Sequence, residues 1–185
     1  KKIIPLTAPI LFLAFGFFLI GQALPKSLMD KWEDVDSEIK KGLPKTAIEK
    51  IDPLIKQALK DGSHAVAIRA ICQKINLEGA IQGNKAEEKI ARLEKEITKA
   101  PEALKPMMRA VLSNWYWQYF QQNRWRFAQR TRTAEAPGED ITTWDLPRIL
   151  SEIDKQFQKT LSYHEVLKKQ AIGDYDFLLK KGNVP

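Results

Sequence analysis

The 185-residue chain contains one cysteine and nine glycines, and its first residue is not methionine. A single cysteine excludes a disulfide framework, and no Cys/His cluster has the spacing of a structural zinc site. So few glycines argue against a turn-rich all-β chain. A chain of about this length can bury roughly 70% of its unfolded surface, so we expect a core without covalent staples. The missing initiator methionine predicts that this is part of a longer protein.

Charge is also missing from the first apolar run, which follows two lysines. Residues 10–20 read ILFLAFGFFLI, and residues 21–23 close the run with the small-x-small sequence Gly-Gln-Ala. This order is typical of an export signal. We predict that residues 1–23 are a signal peptide cleaved after Ala23. The alternatives are an uncleaved membrane anchor, because residues 3–24 are long enough to span a bilayer, and a buried core helix.

Either the signal or the anchor predicts export of the remaining chain to the periplasm or cell envelope, with inner-membrane anchoring in the second case. Without the two N-terminal lysines the formal net charge falls from +7 to +5. The charges are spread along helix faces, so they indicate a solvated surface rather than a nucleic-acid site. In residues 85–100 we predict such a face, with Glu88 and Arg92 as an i,i+4 ion pair.

Apolar residues recur at helical spacing from residue 27 onward. Gly42, Gly62 and Gly83 interrupt this pattern at intervals of 20 and 21 residues. A helix and a short turn in each interval give antiparallel neighbours, and two intervals approach the period of helical-hairpin repeats. We therefore predict an all-α fold, with residues 27–100 forming a stack of antiparallel hairpins, a tetratricopeptide-like α-solenoid or bundle.

Residues 101–185 are predicted to contain one long aromatic helix, a loop and further helices. The long helix is predicted over residues 102–129. Another is predicted over residues 146–168, and a short one over residues 173–181. The middle helix carries an apolar stripe at helical spacing, formed by Leu146, Leu150, Ile153, Phe157 and Leu161.

The long helix has an unusual aromatic density. Of the 17 aromatic residues, four lie in residues 1–23, and seven of the other 13 lie in residues 115–127. Rings on two neighbouring helix faces give an apolar arc too wide for a surface helix, so we predict a central helix contacted on two sides. Arginines follow closely in the sequence. The candidate partner or domain contacts are Trp115, Tyr119, Arg124, Trp125, Arg126 and Arg130.

Three interpretations of this segment remain open from the residues alone. It can be core, with arginines stacked on rings or paired to a neighbouring domain. It can be a groove for a peptide partner. Aromatic rings and arginines also hold single-stranded nucleic acid, but the predicted export argues against that partner.

The sequence shows no recognisable active site. His64 and His164 lie 100 positions apart, without a carboxylate or cysteine at a spacing that forms a site. Cys72 lies among isoleucines, which predicts a buried, inert thiol. We predict no catalytic, cofactor-binding or metal-binding residue, and a function other than that of an enzyme.

Residues 115–133, WYWQYFQQNRWRFAQRTRT, followed by TTWDLP at 142–147, resemble the N-terminal part of large bacterial alpha-2-macroglobulin-like proteins. GDYD at 173–176 and Lys-Gly at 181–182 extend the resemblance. It is strongest over residues 107–185 and extends to residues 43–100.

This resemblance implies a protease trap, in which an array of β-sandwich domains holds a bait segment and closes around the attacking protease. Many such proteins carry a Cys-Gly-Glu-Gln thioester. Here Cys72 is followed by Gln73 and Lys74, so no thioester role transfers to it. The implied function is an N-terminal helical scaffold of an exported endopeptidase inhibitor, with the downstream domains and, through the parent protein, proteases as partners. The alternative is an extracytoplasmic helical-repeat module that binds a peptide or partner protein.

Overall fold

A computed structural model describes residues 26–130 and 138–178. In chain order its helices are α1 (Lys26–Lys40), α2 (Pro44–Lys60), α3 (His64–Ile81), α4 (Ala86–Lys99), α5 (Lys105–Gln122), α6 (Arg124–Gln129), α7 (Leu146–Leu161) and α8 (His164–Leu167). Two 3-10 helices span Ile141–Thr143 and Ile172–Leu178. The described residues contain no strand, which confirms the all-α prediction. The predicted signal or anchor lies outside the described residues, and the solenoid stack stays a prediction.

The three predicted glycine turns separate the first four helices. Gly42, Gly62 and Gly83 have φ values of 73°, 67° and 97°, in the left-handed region that glycine adopts without steric cost. After Gly62, the Ser63 amide donates to the Ala58 carbonyl at 2.8 Å. This hydrogen bond satisfies a carbonyl that the end of α2 would otherwise leave without a partner.

Helices that follow one another in sequence also pack together. α1 contacts α2, α2 contacts α3, α3 contacts α4, and α4 contacts α5, while α5 also packs against α7. The 3-10 helix Ile172–Leu178 returns to contact α3. One apolar cluster runs through this arrangement, with fully buried members that include Val35, Ile51, Leu54, Ile68, Leu93, Met108, Phe127 and Ile149.

The predicted long helix over residues 102–129 is wrong, because it is two helices. α5 begins at Lys105 and ends at Gln122, and α6 starts after Asn123. The Asn123 side-chain amide donates to the Tyr119 backbone carbonyl at 2.9 Å. The Asn123 backbone carbonyl accepts from the backbone amides of Arg126 and Phe127. Asparagine side chains compete in this way with helical backbone bonds, which explains the break.

The predicted helix over residues 146–168 is also interrupted. Asp145 caps α7 by accepting a hydrogen bond from the Arg148 amide at 2.9 Å. The helix ends at Leu161, and α8 follows as a single short turn. The short helix predicted over residues 173–181 corresponds to the 3-10 helix Ile172–Leu178.

Candidate functional site

The aromatic segment is divided between the core and the surface. Tyr116, Tyr119, Phe120 and Phe127 are buried, which agrees with the predicted central position of this segment. Phe127 packs against both Tyr119 and Phe120, with ring centroids 6.0 Å apart in each pair. On one continuous helix, residues seven or eight positions apart are separated by about 10–12 Å along the axis, so the break at Asn123 brings these rings together.

Tyr116 connects three parts of the fold. Its hydroxyl donates to Glu94 Oε1 on α4 at 3.0 Å, and its ring stacks on Trp144, just before α7. Burial raises the pKa of Tyr116 and also that of Glu94. These contacts give the rings of α5 a structural role between α4 and α7.

Three of the six predicted contact residues, Tyr119, Arg126 and Arg130, make their hydrogen bonds within this chain. Arg126 Nη2 donates to the Tyr119 hydroxyl at 2.5 Å, and the guanidinium lies 5.3 Å from the Phe127 ring centroid. Arg130 Nη1 donates to the Trp144 carbonyl at 2.8 Å. Tyr119 is buried, and its pKa is raised by that burial against the opposing effect of Arg126.

The other three predicted contact residues reach solvent to different extents. Trp125 is 67% exposed, and Arg124 beside it on α6 is also exposed. Trp115 is half-buried and borders, with Tyr119, a small pocket of about 260 Å³. The six residues therefore do not form one shared surface.

α7 packs on the core through Ile149 and Ile153, but only part of its predicted apolar stripe is buried, namely Ile153 and, partly, Leu146. Three members of its predicted apolar stripe are solvent-accessible, Leu150 and Phe157 at 42% and Leu161 at 59%. The same helix buries Glu152 and Gln156. We call Leu150, Phe157 and Leu161 the α7 apolar face.

Hydrogen bonds and an ion pair satisfy polar groups of the buried side chains Glu152 and Gln156, which allows these residues to lie on the core side of α7. Gln156 Nε2 donates to Glu152 Oε1 at 2.7 Å, and Lys155 Nζ lies 3.1 Å from Glu152 Oε2. Burial acts to raise the pKa of Glu152, but the hydrogen bonds from Gln156 and Lys155 outweigh it and the pKa is lowered. On the side that faces α5, the hydroxyls of Ser113 and Thr160 are 3.0 Å apart.

A second surface feature is a cleft of about 530 Å³ across α2, α3 and α4, which the sequence did not indicate. Each helix contributes residues at positions i, i+3, i+4 and i+7, starting from Asp52, Ile71 and Arg92. Such positions lie on one helix face. α3 contacts both α2 and α4, so it forms the floor between two walls. Leu104, just before α5, closes one side.

Charges of α4 that the sequence assigned to a solvated face line this cleft. The predicted pairing of Arg92 with Glu88 is wrong. Arg92 instead bonds Glu78 of α3 at 2.7 Å and also Gln82, while Glu88 pairs with Lys85 at 3.1 Å. Contact with α3 therefore decides the partner of Arg92, which sequence spacing along α4 could not show.

Of the residues considered for chemistry, His164 is exposed and its Nε2 lies 2.9 Å from Glu165 Oε1, a neighbour on α8. Cys72 is buried as predicted, and burial raises its pKa to about 12. Among residues 26–130 and 138–178, no group of three or more His, Cys, Asp or Glu side chains could hold a metal ion. In the same residues, no helix has the length and hydrophobicity needed to cross a membrane. Comparison with protein-family models, curated proteins and solved structures gives no match.

Proposed function

We propose that this chain is the N-terminal helical scaffold of an exported alpha-2-macroglobulin-like endopeptidase inhibitor. In this proposal residues 27–100 form a tetratricopeptide-like stack of hairpins, and residues 101–185 lead into the β-sandwich array of the protease trap. The signal or anchor in residues 1–23 directs the protein to the cell envelope. The resemblance of residues 107–185 supports the family.

The α7 apolar face is the observation that carries the scaffold role. Large apolar side chains grouped on one exposed face mark a surface that another protein surface covers. We infer that a downstream domain of the same protein covers Leu150, Phe157 and Leu161.

A test uses the natural open reading frame beyond Pro185. We expect serial β-sandwich patterning there, and a purified longer protein that protects its bound protease from large inhibitors. Amide hydrogen exchange in α7 should be slower in the longer protein than in the chain ending at Pro185. A downstream sequence without β-sandwich patterning contradicts the proposal.

A paired substitution separates domain contact from folding. Phe157→Ser with Leu161→Ser should restore fast α7 exchange in the longer protein while the shorter chain keeps its helical circular dichroism. Gln158→Ser is the matched control, since Gln158 is exposed on α7 outside the apolar face. Equal exchange in the double variant and the control contradicts the assigned contact.

A second candidate function, a helical-repeat module that binds a peptide, is supported by the cleft across α2, α3 and α4. The cleft shares no residue with the α7 apolar face. The two functions are therefore separable by mutation. Binding of any peptide that is lost on substitution of cleft residues supports this candidate.

A further inference from the structure

We propose that the cleft across α2, α3 and α4 binds an extended segment of another protein in which acidic side chains alternate with apolar ones. The inference rests on the peptide-binding candidate and is independent of the macroglobulin proposal. The cleft crosses three helices, and packed helices lie about 8–10 Å apart. An extended chain advances about 3.3 Å per residue, so roughly six residues cross from one wall to the other.

The cleft is partly apolar, and isoleucines make up half of the α3 residues that line it. Ile71 and Ile75 of α3 lie beneath it, Ile55 and Leu59 of α2 are half-buried along one wall, and Leu104 closes one side. Ile71, Ile75 and Leu104 are already buried, so an apolar ligand residue would gain free energy mainly by removing Ile55 and Leu59 from water. The α2 wall therefore favours a ligand with apolar side chains.

The walls carry an excess of positive charge. Five Lys or Arg and three Asp or Glu line the cleft, and the difference is +2. Each carboxylate already has a basic partner inside the cleft, the pairs being Asp52–Lys74 at 2.6 Å, Glu78–Arg92 at 2.7 Å and Glu96–Lys99 at 3.7 Å.

Two lysines remain for a ligand. Lys56 on α2 and Lys95 on α4 line opposite walls, and neither has an ion-pair partner within the described part of the chain. Both are exposed, so their charges are available from solvent. Carboxylates that approach from either wall would complete these two pairs.

Charge favours a partner from another protein over the undescribed segments of this chain. Residues 1–25 and residues 179–185 each contain two lysines and no acidic residue, and residues 131–137 have one arginine and one glutamate. None of these segments is acidic. Among the described lining residues there is also no aromatic ring on which a nucleic-acid base could stack, which favours peptide over nucleic acid.

The test measures fluorescence polarisation of the full chain with three mixtures of labelled short peptides. All are randomised over Leu, Ile and Val at alternate positions and carry Glu, Gln or Lys between them. We expect the Glu mixture to bind most tightly and the Lys mixture most weakly. Lys56→Gln with Lys95→Gln should weaken binding of the Glu mixture by about threefold to tenfold, as expected for the loss of two exposed ion pairs.

The matched control is Lys31→Gln with Lys45→Gln, which removes the same net charge from exposed positions outside the cleft. It should leave affinity within about twofold, since distant exposed charges are screened by salt. Lys56→Glu with Lys95→Glu should reverse the preference toward the Lys mixture. Circular dichroism of each variant checks that the helices remain folded.

Other outcomes overturn the inference in distinguishable ways. Equal binding of the three mixtures leaves the peptide-binding candidate standing but contradicts the acidic ligand. No binding by any mixture at millimolar concentration contradicts both. Tighter binding of a single-stranded thymidine oligonucleotide, weakened by the Lys56 and Lys95 variants, replaces the peptide with nucleic acid.

Discussion

The region before α5 and the region from α5 onward differ in how many large apolar side chains they expose to solvent. Ten large apolar side chains are exposed in the described part of the chain. Those before α5 are Met29, Leu43 and Ile81, located in the first turn of α1, in a turn and at the end of α3. The later seven are Trp117, Trp125, Leu150, Phe157, Leu161, Val166 and Ile172.

The first region leaves only scattered large apolar side chains exposed, whereas the second exposes several on the same helix. The exposed side chains before α5 are isolated, and isolated apolar residues are normal on soluble proteins. The α7 apolar face is instead a regular stripe on one helix. Four sets of substitutions test this contrast.

The largest contrast is expected within α6. Phe127 is fully buried and Trp125 is 67% exposed, although the two residues are only two positions apart. Phe127→Ala should lower the free energy of unfolding by about 3–5 kcal/mol, because it leaves a cavity among aromatic rings. Trp125→Ala should change it by about 0.5 kcal/mol or less. Urea denaturation measures both, and similar losses would contradict the placement of α6.

A second pair tests which side of α7 is buried. Ile149 is fully buried and Phe157 is 42% exposed. Ile149→Ala should destabilise the chain by about 2–5 kcal/mol. Phe157→Ala should cost less than about 1 kcal/mol. Thermal unfolding compares them, and a larger loss for Phe157 would mean that the apolar stripe faces the core.

A glycine substitution tests the turns of the first region. No neighbour would contact a Cβ at Gly62, so Gly62→Ala measures the cost of the left-handed backbone itself. We expect a loss of about 1–2 kcal/mol. Gly138→Ala is the control, since it also has open space and lacks the positive φ. Equal stability of the two variants in urea would show that Gly62 imposes no conformational cost.

The smallest effect concerns the pH dependence contributed by Glu94. Burial raises its pKa in the folded chain above 4.5, despite the hydrogen bond from Tyr116. The folded state therefore binds this proton more tightly, and the resulting stabilisation, present at acidic pH, is lost as pH rises through the folded pKa.

Glu94→Gln keeps an uncharged acceptor for Tyr116, so we expect it to be more stable than the natural chain at neutral pH. The advantage should disappear below pH 4.5, where Glu94 is protonated in both states. Urea titrations at several pH values measure this difference. Glu49→Gln, at an exposed position on α2, is the control, and an advantage that grows at acidic pH would contradict the assignment.

Sequence patterns were most informative where local chemistry decides the structure. Gly42, Gly62 and Gly83 end helices through their own backbone freedom, and all three turns were predicted. The break at Asn123 was missed because helical periodicity continues across it. The asparagine itself was the available signal, since its side chain bonds the Tyr119 carbonyl.

Features that depend on contacts between helices were not predictable from spacing. The stripe on α7 was identified, but the contact of Thr160 with Ser113 and the bonding of Glu152 show which side faces inward. The cleft is formed by three helices side by side. Similarly, four of the seven aromatic residues in the dense segment are buried and Trp125 is not, a distinction that composition alone cannot make.

Cys72 is the chain's single cysteine, and it lies in the core on α3. A thiol reagent can modify it only when that helix opens toward solvent. The rate of labelling therefore measures how often α3 opens in the population of molecules, and it needs no engineered site.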